Sequence, residues 1–248
     1  MKQVRMILFT IGLLLVFMIV LANAGEIKKD TIKKQTSTKS TTSVKKWQDT
    51  FKVDKKNLGP VGENTYFILQ PGYKQIFIEG NITDTLTVLK ETKIIDSVEV
   101  GIIEDREEKN GQPIEVTKDY FAFDSVTKNI YYFGEDCDYY TDGKVTGHGG
   151  TWISGVNGAK FGLFVPGKIK VGDKFYQEIA PEVAMDRVEI KELGLKIQTP
   201  AGTFENCIKV EETTPLEPDV KDYKWYAPGV GMIKDGDMPL NKIEKETK

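Results

Sequence analysis

Alternation of apolar and polar residues with a period of two, broken at short intervals by turn-forming pairs, constrains this chain more than any other feature. It runs through "TLTVLKET" (Thr85–Thr92), "VEVGIIEDREE" (Val98–Glu108) and "PIEVTKDYFAFD" (Pro113–Asp124). Asn110-Gly111 separates the last two, and Asp142-Gly143 divides "CDYYTDGKVTG". Both residues of such a pair take positive φ, which specifies a tight hairpin. Similar runs follow from Lys174 to Asp237, with a short last one near Leu240–Glu244. Helical periodicity is not evident. The pattern predicts an all-β domain, an antiparallel meander of about 10–12 strands curled into a barrel-like or sandwich domain.

Face assignments follow from the same period. In "FENCIKVEE", Phe204, Asn206, Ile208 and Val210 are expected on one face and Glu205, Cys207, Lys209 and Glu211 on the other. In "DYFAFD", Tyr120 and Ala122 oppose Phe121 and Phe123, so both faces of that strand are expected to be covered. The glycine-rich stretch 150–173 lacks strict alternation and reads as a long loop crossing one end of the barrel. "WYAPGVGMIKDGD" (Trp225–Asp237) looks like a phosphate loop at first sight. Its third glycine position is Lys234, and an alternating run follows it instead of a helix, so it reads as a sheet corner.

The N-terminus reads as an address. Lys2 and Arg5 precede an apolar run, Met6–Ala22, and Ala22-Asn23-Ala24 offers small residues before Gly25. Residues 1–24 are therefore expected to be an export signal, or an anchor through residues 6–22. Residues 25–56 carry ten lysines against Glu26, Asp30, Asp49 and Asp54. Rich in Lys, Thr and Ser, this stretch is expected to be a disordered tether that can touch an anionic envelope surface. Residues 57–248 are expected to form a single β-rich domain with 22 Lys+Arg against 33 Asp+Glu. That acidic balance argues against nucleic acid as a partner. The expected location is periplasmic, extracellular or on the cell envelope.

Cys137 and Cys207 are either a disulfide, as export permits, or two separate thiols. A nucleophilic triad would have to use His148, the only histidine, in "TGHGGTW". A capping role suits that loop better, and no catalytic residue is assigned. Glu135, Asp136, Asp138 and Asp142 are weak calcium candidates, because they do not match an EF-hand loop. No metal or cofactor is expected.

The stretches "NTYFILQPGYKQIFIEG", "YYFGEDCDYYTDGKV", "GTWISGVNGAK" and "KWYAPGVGMIKDG" together resemble the motifs of a family of exported bacterial β-rich proteins without an assigned activity. The resemblance spans about Asn64 to Asp237. It implies an exported β-rich domain and, by analogy, the curled antiparallel sheet of envelope lipid carriers.

Three functions are compatible with these features. The first is a non-enzymatic binding module for a lipid or other apolar ligand, with Trp152, Phe161, Phe164 and Phe175 as candidate lining. The second is a structural or interaction protein of the envelope with a filled core. The third is a glycan-acting enzyme, which needs two close carboxylates in a cleft.

Overall fold

The computed structural model describes residues 46–245. The expected signal or anchor and most of the expected tether lie outside these residues. Residues 46–56, expected to belong to the tether, are instead part of the folded body. The Gln48 N–H donates to the Lys174 carbonyl and its carbonyl accepts from the Tyr176 N–H, both at 2.9 Å. Trp47 meets Tyr176 edge-on at 6.3 Å, with the Arg187 guanidinium 4.6 Å from the indole centroid. Phe51 packs edge-on against Tyr131 at 6.0 Å. Aromatic and cation–π contacts thus extend the domain past the lysine-rich composition.

After one 3₁₀ turn (Lys55–Asn57) come three short strands, β1 (Leu58–Gly59), β2 (Gly62–Asn64) and β3 (Phe67–Leu69). A long meander follows: β4 (Lys74–Glu79), β5 (Ile82–Ile95), β6 (Val98–Lys109), β7 (Gln112–Asp124) and β8 (Ile130–Thr141). Five shorter strands are β9 (Lys144–Gly147), β10 (Trp152–Ile153), β11 (Lys160–Val165), β12 (Lys174–Tyr176) and β13 (Glu178–Ile179). A second meander completes the chain: β14 (Arg187–Thr199), β15 (Gly202–Thr214), β16 (Glu217–Ala227), β17 (Gly231–Asp235) and β18 (Met238–Glu244).

Sixteen of these strands form one sheet in the order β12-β14-β15-β16-β17-β18-β4-β5-β6-β7-β8-β11-β13, with β1, β9 and β10 added at its side. β18 joins the two meanders by pairing antiparallel with β4. The two ends of the ladder meet in a single stretch of chain. Lys174–Tyr176 pairs with β14, and Glu178–Ile179, one residue further on, pairs with β11. The sheet is thereby curled into a barrel-like shape, which protects the edges an open sheet would expose.

The turn pairs act as the sequence predicts. Asn110-Gly111 has φ of 52° and 75° and Asp142-Gly143 has 52° and 71°, each closing a two-residue hairpin. Asp96-Ser97 does the same at 48° and 62°, without a glycine to advertise it. "WYAPGVG" is the sheet corner: Ala227 faces Gly231 across the β16–β17 turn, and Gly229 and Gly231 hold φ of 69° and 95°. Both faces of β7 are covered, with Phe121 and Tyr120 each buried on opposite sides.

Two local readings change. The stretch 150–173 is not a loop throughout, because β11 within it is a barrel strand paired with β8 and β13. "GLFV" is apolar without alternation because Gly162 through Val165 are all buried. In β15, Cys207 faces the core beside Ile208, not away from it. Asn206 takes a φ of 54° opposite register shifts in β14, and this bulge breaks the alternation.

Candidate functional site

The barrel interior is apolar at one level and acidic at another. On β6 the inward series is Ile103, Asp105, Glu107; on β7 it is Phe121, Asp119, Thr117, Glu115. The register that sets Ile103 opposite Asp119 and Glu107 opposite Glu115 aligns the two series. Phe67, Phe121 and Phe164 form the apolar level, with ring centroids 4.8–5.5 Å apart. Phe121 also stacks on Tyr132 at 4.9 Å. A small cavity of about 50 Å³ lies where the levels meet, lined by these phenylalanines, Val88 and Ile103 together with Asp105 and Asp119.

The acidic level continues round the wall. Asp84 is hydrogen-bonded to Asp105, and both lie within electrostatic reach of Asp235 and Glu115. Asp119 accepts a 2.6 Å hydrogen bond from the Tyr132 hydroxyl and neighbours Glu135 across β7 and β8. Glu135 interacts with Asp186, and Glu178 accepts a hydrogen bond from the Asp186 N–H. Asp186 in turn neighbours Glu212. The Lys224 ammonium, almost fully buried, lies 3.3 Å from Glu212 and 3.6 Å from Asp235. Asp235 leads back to Asp84, so the carboxylates form a ring around the interior with Lys224 among them.

Removing a carboxylate from water favours its neutral form, and neighbouring acids add to the effect. Burial first, then Glu115 and Asp105, push Glu107 up to about 7. Burial pushes Asp235 up to about 6 despite the opposing pull of Lys224. Asp84, Asp105, Asp119, Glu135, Glu178 and Asp186 are all raised, again mainly by burial. Burial works against the Lys224 charge, but Asp235 and Glu212 outweigh it and raise its pKa. Among the described residues, Asp84 Oδ1 and Glu135 Oε2 are buried without a hydrogen-bond partner. Trp152 Nε1 is a third such atom, and each is exceptional because buried polar atoms are nearly always satisfied.

The predicted lining residues come together only in part: Phe164 and Phe175 both line a second, smaller cavity of about 10 Å³. Phe164 lines the small cavity. Trp152 is buried against Tyr132 at 5.3 Å, Phe161 stacks on Phe133 at 4.6 Å, and Phe175 is buried in the main core. Cys137 and Cys207 do not form a disulfide, and both thiols are buried. Cys137 shares a 2.9 Å hydrogen bond with Thr117 inside the barrel, whereas Cys207 packs in the core on β15. The calcium candidates do not converge: alternation turns Glu135 away from Asp136 and Asp138, and those two are held by different partners. Glu135 points inward, Asp136 bonds Lys93 and Tyr120, Asp138 pairs with His148 at 2.8 Å, and Asp142 occupies the exposed hairpin turn. No group of three potential metal ligands occurs among the described residues. His148 also lies 3.2 Å from the Cys137 carbonyl, in keeping with a loop-holding role.

The acidic ring was not singled out by motif, yet its signal is in the alternation. "IIEDREE" and "IEVTKDYF" each place apolar and acidic residues on one face, an arrangement that a strand with a uniformly apolar inner face would not have.

These features define a barrel-like antiparallel β-protein with a carboxylate-ringed interior. Comparison with protein-family models, with curated proteins and with solved structures returned no match.

Proposed function

We propose that this chain is an exported, non-enzymatic binding module of the cell envelope, related to the β-rich exported family its motifs resemble, and that its interior takes an amphipathic ligand with a cationic head. The observation that supports this is a cavity lined both by Phe121 and Phe164 and by Asp105 and Asp119. An apolar group would lie against the phenylalanines. A protonated amine would meet carboxylates whose negative form it stabilises, offsetting the burial that disfavours it. A cation would be favoured there over a fatty-acid carboxylate, because it stabilises the ionised form of these acids and a further anion does not.

Cavity size bounds the ligand. A cavity of about 150 Å³ holds benzene; this one, at about 50 Å³, takes only a small group unless the walls separate. A whole lipid chain would need the barrel to open. The same filled interior supports the second reading, a structural or interaction protein of the envelope. Close carboxylates of the kind an enzyme would use do occur, as Asp84 and Asp105, but they lie inside the barrel.

Native mass spectrometry of the full chain, purified gently from the envelope of its own host, distinguishes the first two readings. A reproducible small adduct, lost in Asp105→Asn, supports the binding module. A bare mass, together with equal thermal shifts from hexylamine and hexanoate, would leave the structural role as the better account.

A further inference from the structure

The alternation that turns Lys224 and Tyr226 inward turns Tyr223 and Trp225 outward, onto the other side of the wall. Trp225 is in register with Lys209 on β15 and with Lys234 on β17. Their ammonium groups lie 5.4 Å and 4.9 Å from its ring centroid. The tip of the β14–β15 hairpin reaches past β16 and β17 to β18, where the Ala201 N–H donates to the Leu240 carbonyl at 3.2 Å. An open groove of about 660 Å³ lies between this hairpin and the wall. Gln198 and Pro200 line it from the hairpin, Trp225 and Lys234 from the wall, Pro239 from β18 and Asp237 from the β17–β18 turn. Ligand sites commonly measure about 300–1,000 Å³.

We propose that this groove is a glycan-binding site for a neutral oligosaccharide. An indole and two proline rings supply the flat apolar surfaces on which the C–H face of a pyranose packs. Gln198 both donates and accepts, Lys234 donates and Asp237 accepts, which matches sugar hydroxyls that do both. The charge is also matched. Lys196, at the rim, is held by Glu205 at 2.9 Å, and Lys234 and Asp237 carry opposite charges within the groove. An anionic polymer would gain little net attraction from such a surface, and a purely apolar ligand would strand its polar rim. Surface cation–π contacts are weak and lysine stems are mobile, so Lys209 and Lys234 can yield the ring to a sugar. The groove lies on the opposite side of the wall from the acidic ring, so this site stands whether or not the interior binds a ligand.

The test is calorimetric titration of the full chain with two soluble probes, a β-1,4-linked N-acetylglucosamine tetramer and cellotetraose, read in parallel by tryptophan fluorescence. The expected result is saturable binding of at least one, insensitive to salt, and weakened about tenfold or more in Trp225→Ala. Gln198→Ala, an exposed position that leaves the fold intact, should weaken binding by a smaller factor, and Trp47→Phe should leave it unchanged. Far-UV circular dichroism and thermal unfolding confirm that each variant folds, and Gln198→Ala carries the test if Trp225→Ala does not. Absence of binding to both oligosaccharides overturns the proposal. So does binding that survives in every folded groove variant, or salt-sensitive binding of polyglycerol phosphate without binding of either sugar.

Discussion

The ammonium of Lys224 and the carboxylate of Asp235, in register on β16 and β17, face each other at 3.6 Å inside the barrel. Glu212 on β15 completes the group at 3.3 Å from the same ammonium. A buried pair contributes little net stability when intact, but losing one partner leaves an uncompensated charge. Lys224→Met is therefore expected to destabilise the domain by about 3 kcal/mol near pH 8. The loss should shrink near pH 5, where Asp235 is neutral and no longer needs the ammonium. Urea unfolding at the two pH values measures both numbers.

The acidic ring sets the sign of the pH dependence. Its carboxyl groups have folded pKa values above their unfolded ones, so the folded state binds more protons. Their contribution is fully present below the unfolded values and is lost as pH rises through the folded ones. For Asp235, raised from 3.8 to about 6, the loss corresponds to about 3 kcal/mol. Glu107, raised from 4.5 to about 7, adds to it in the same direction, less strongly because it is part-exposed. Stability should fall between about pH 4 and pH 8. A urea midpoint that is flat or rises across that window would contradict the buried ring.

Closure of the barrel depends on Gly162. A Cβ at this position would lie 2.4 Å from the Gln177 carbonyl oxygen, in the residue that links β12 to β13. The obstacle is backbone, which cannot swing aside as a side chain would. Gly162→Ala should cost about 1–3 kcal/mol and speed proteolysis near Gln177. Gly158→Ala, at a positive-φ turn with no atom near the new Cβ, should cost only about 1 kcal/mol. Limited proteolysis with mapping of the first cut separates a loosened seam from general destabilisation.

Both thiols are buried and separate. The native protein should therefore resist Ellman's reagent and release two thiols per chain on denaturation. Reducing agent should leave the unfolding temperature unchanged, whereas a disulfide closing this long loop would have contributed about 4 kcal/mol.

Period-two alternation and the Asn-Gly and Asp-Gly pairs determined the all-β class and its hairpins, because both are local properties of strand geometry and turn backbone. The corner at Pro228–Gly231 was legible for the same reason: what followed the glycines alternated and could not be a helix. What depended on distant partners was not legible. Composition suggested a tether up to residue 56, but Trp47 and Phe51 find Tyr176, Arg187 and Tyr131 only in the folded chain. "KFGLFV" lacked a strand signature because its burial comes from both sides, and Cys207 faced the core only once Asn206 bulged. The acid–apolar faces of β6 and β7 were written in the sequence. That they lie opposite Lys224 and Asp235, forming a ring rather than a series of solvated faces, was decided by closure of the sheet through Lys174–Ile179, since only a curled wall brings carboxylates from β5 to β17 within reach of one another.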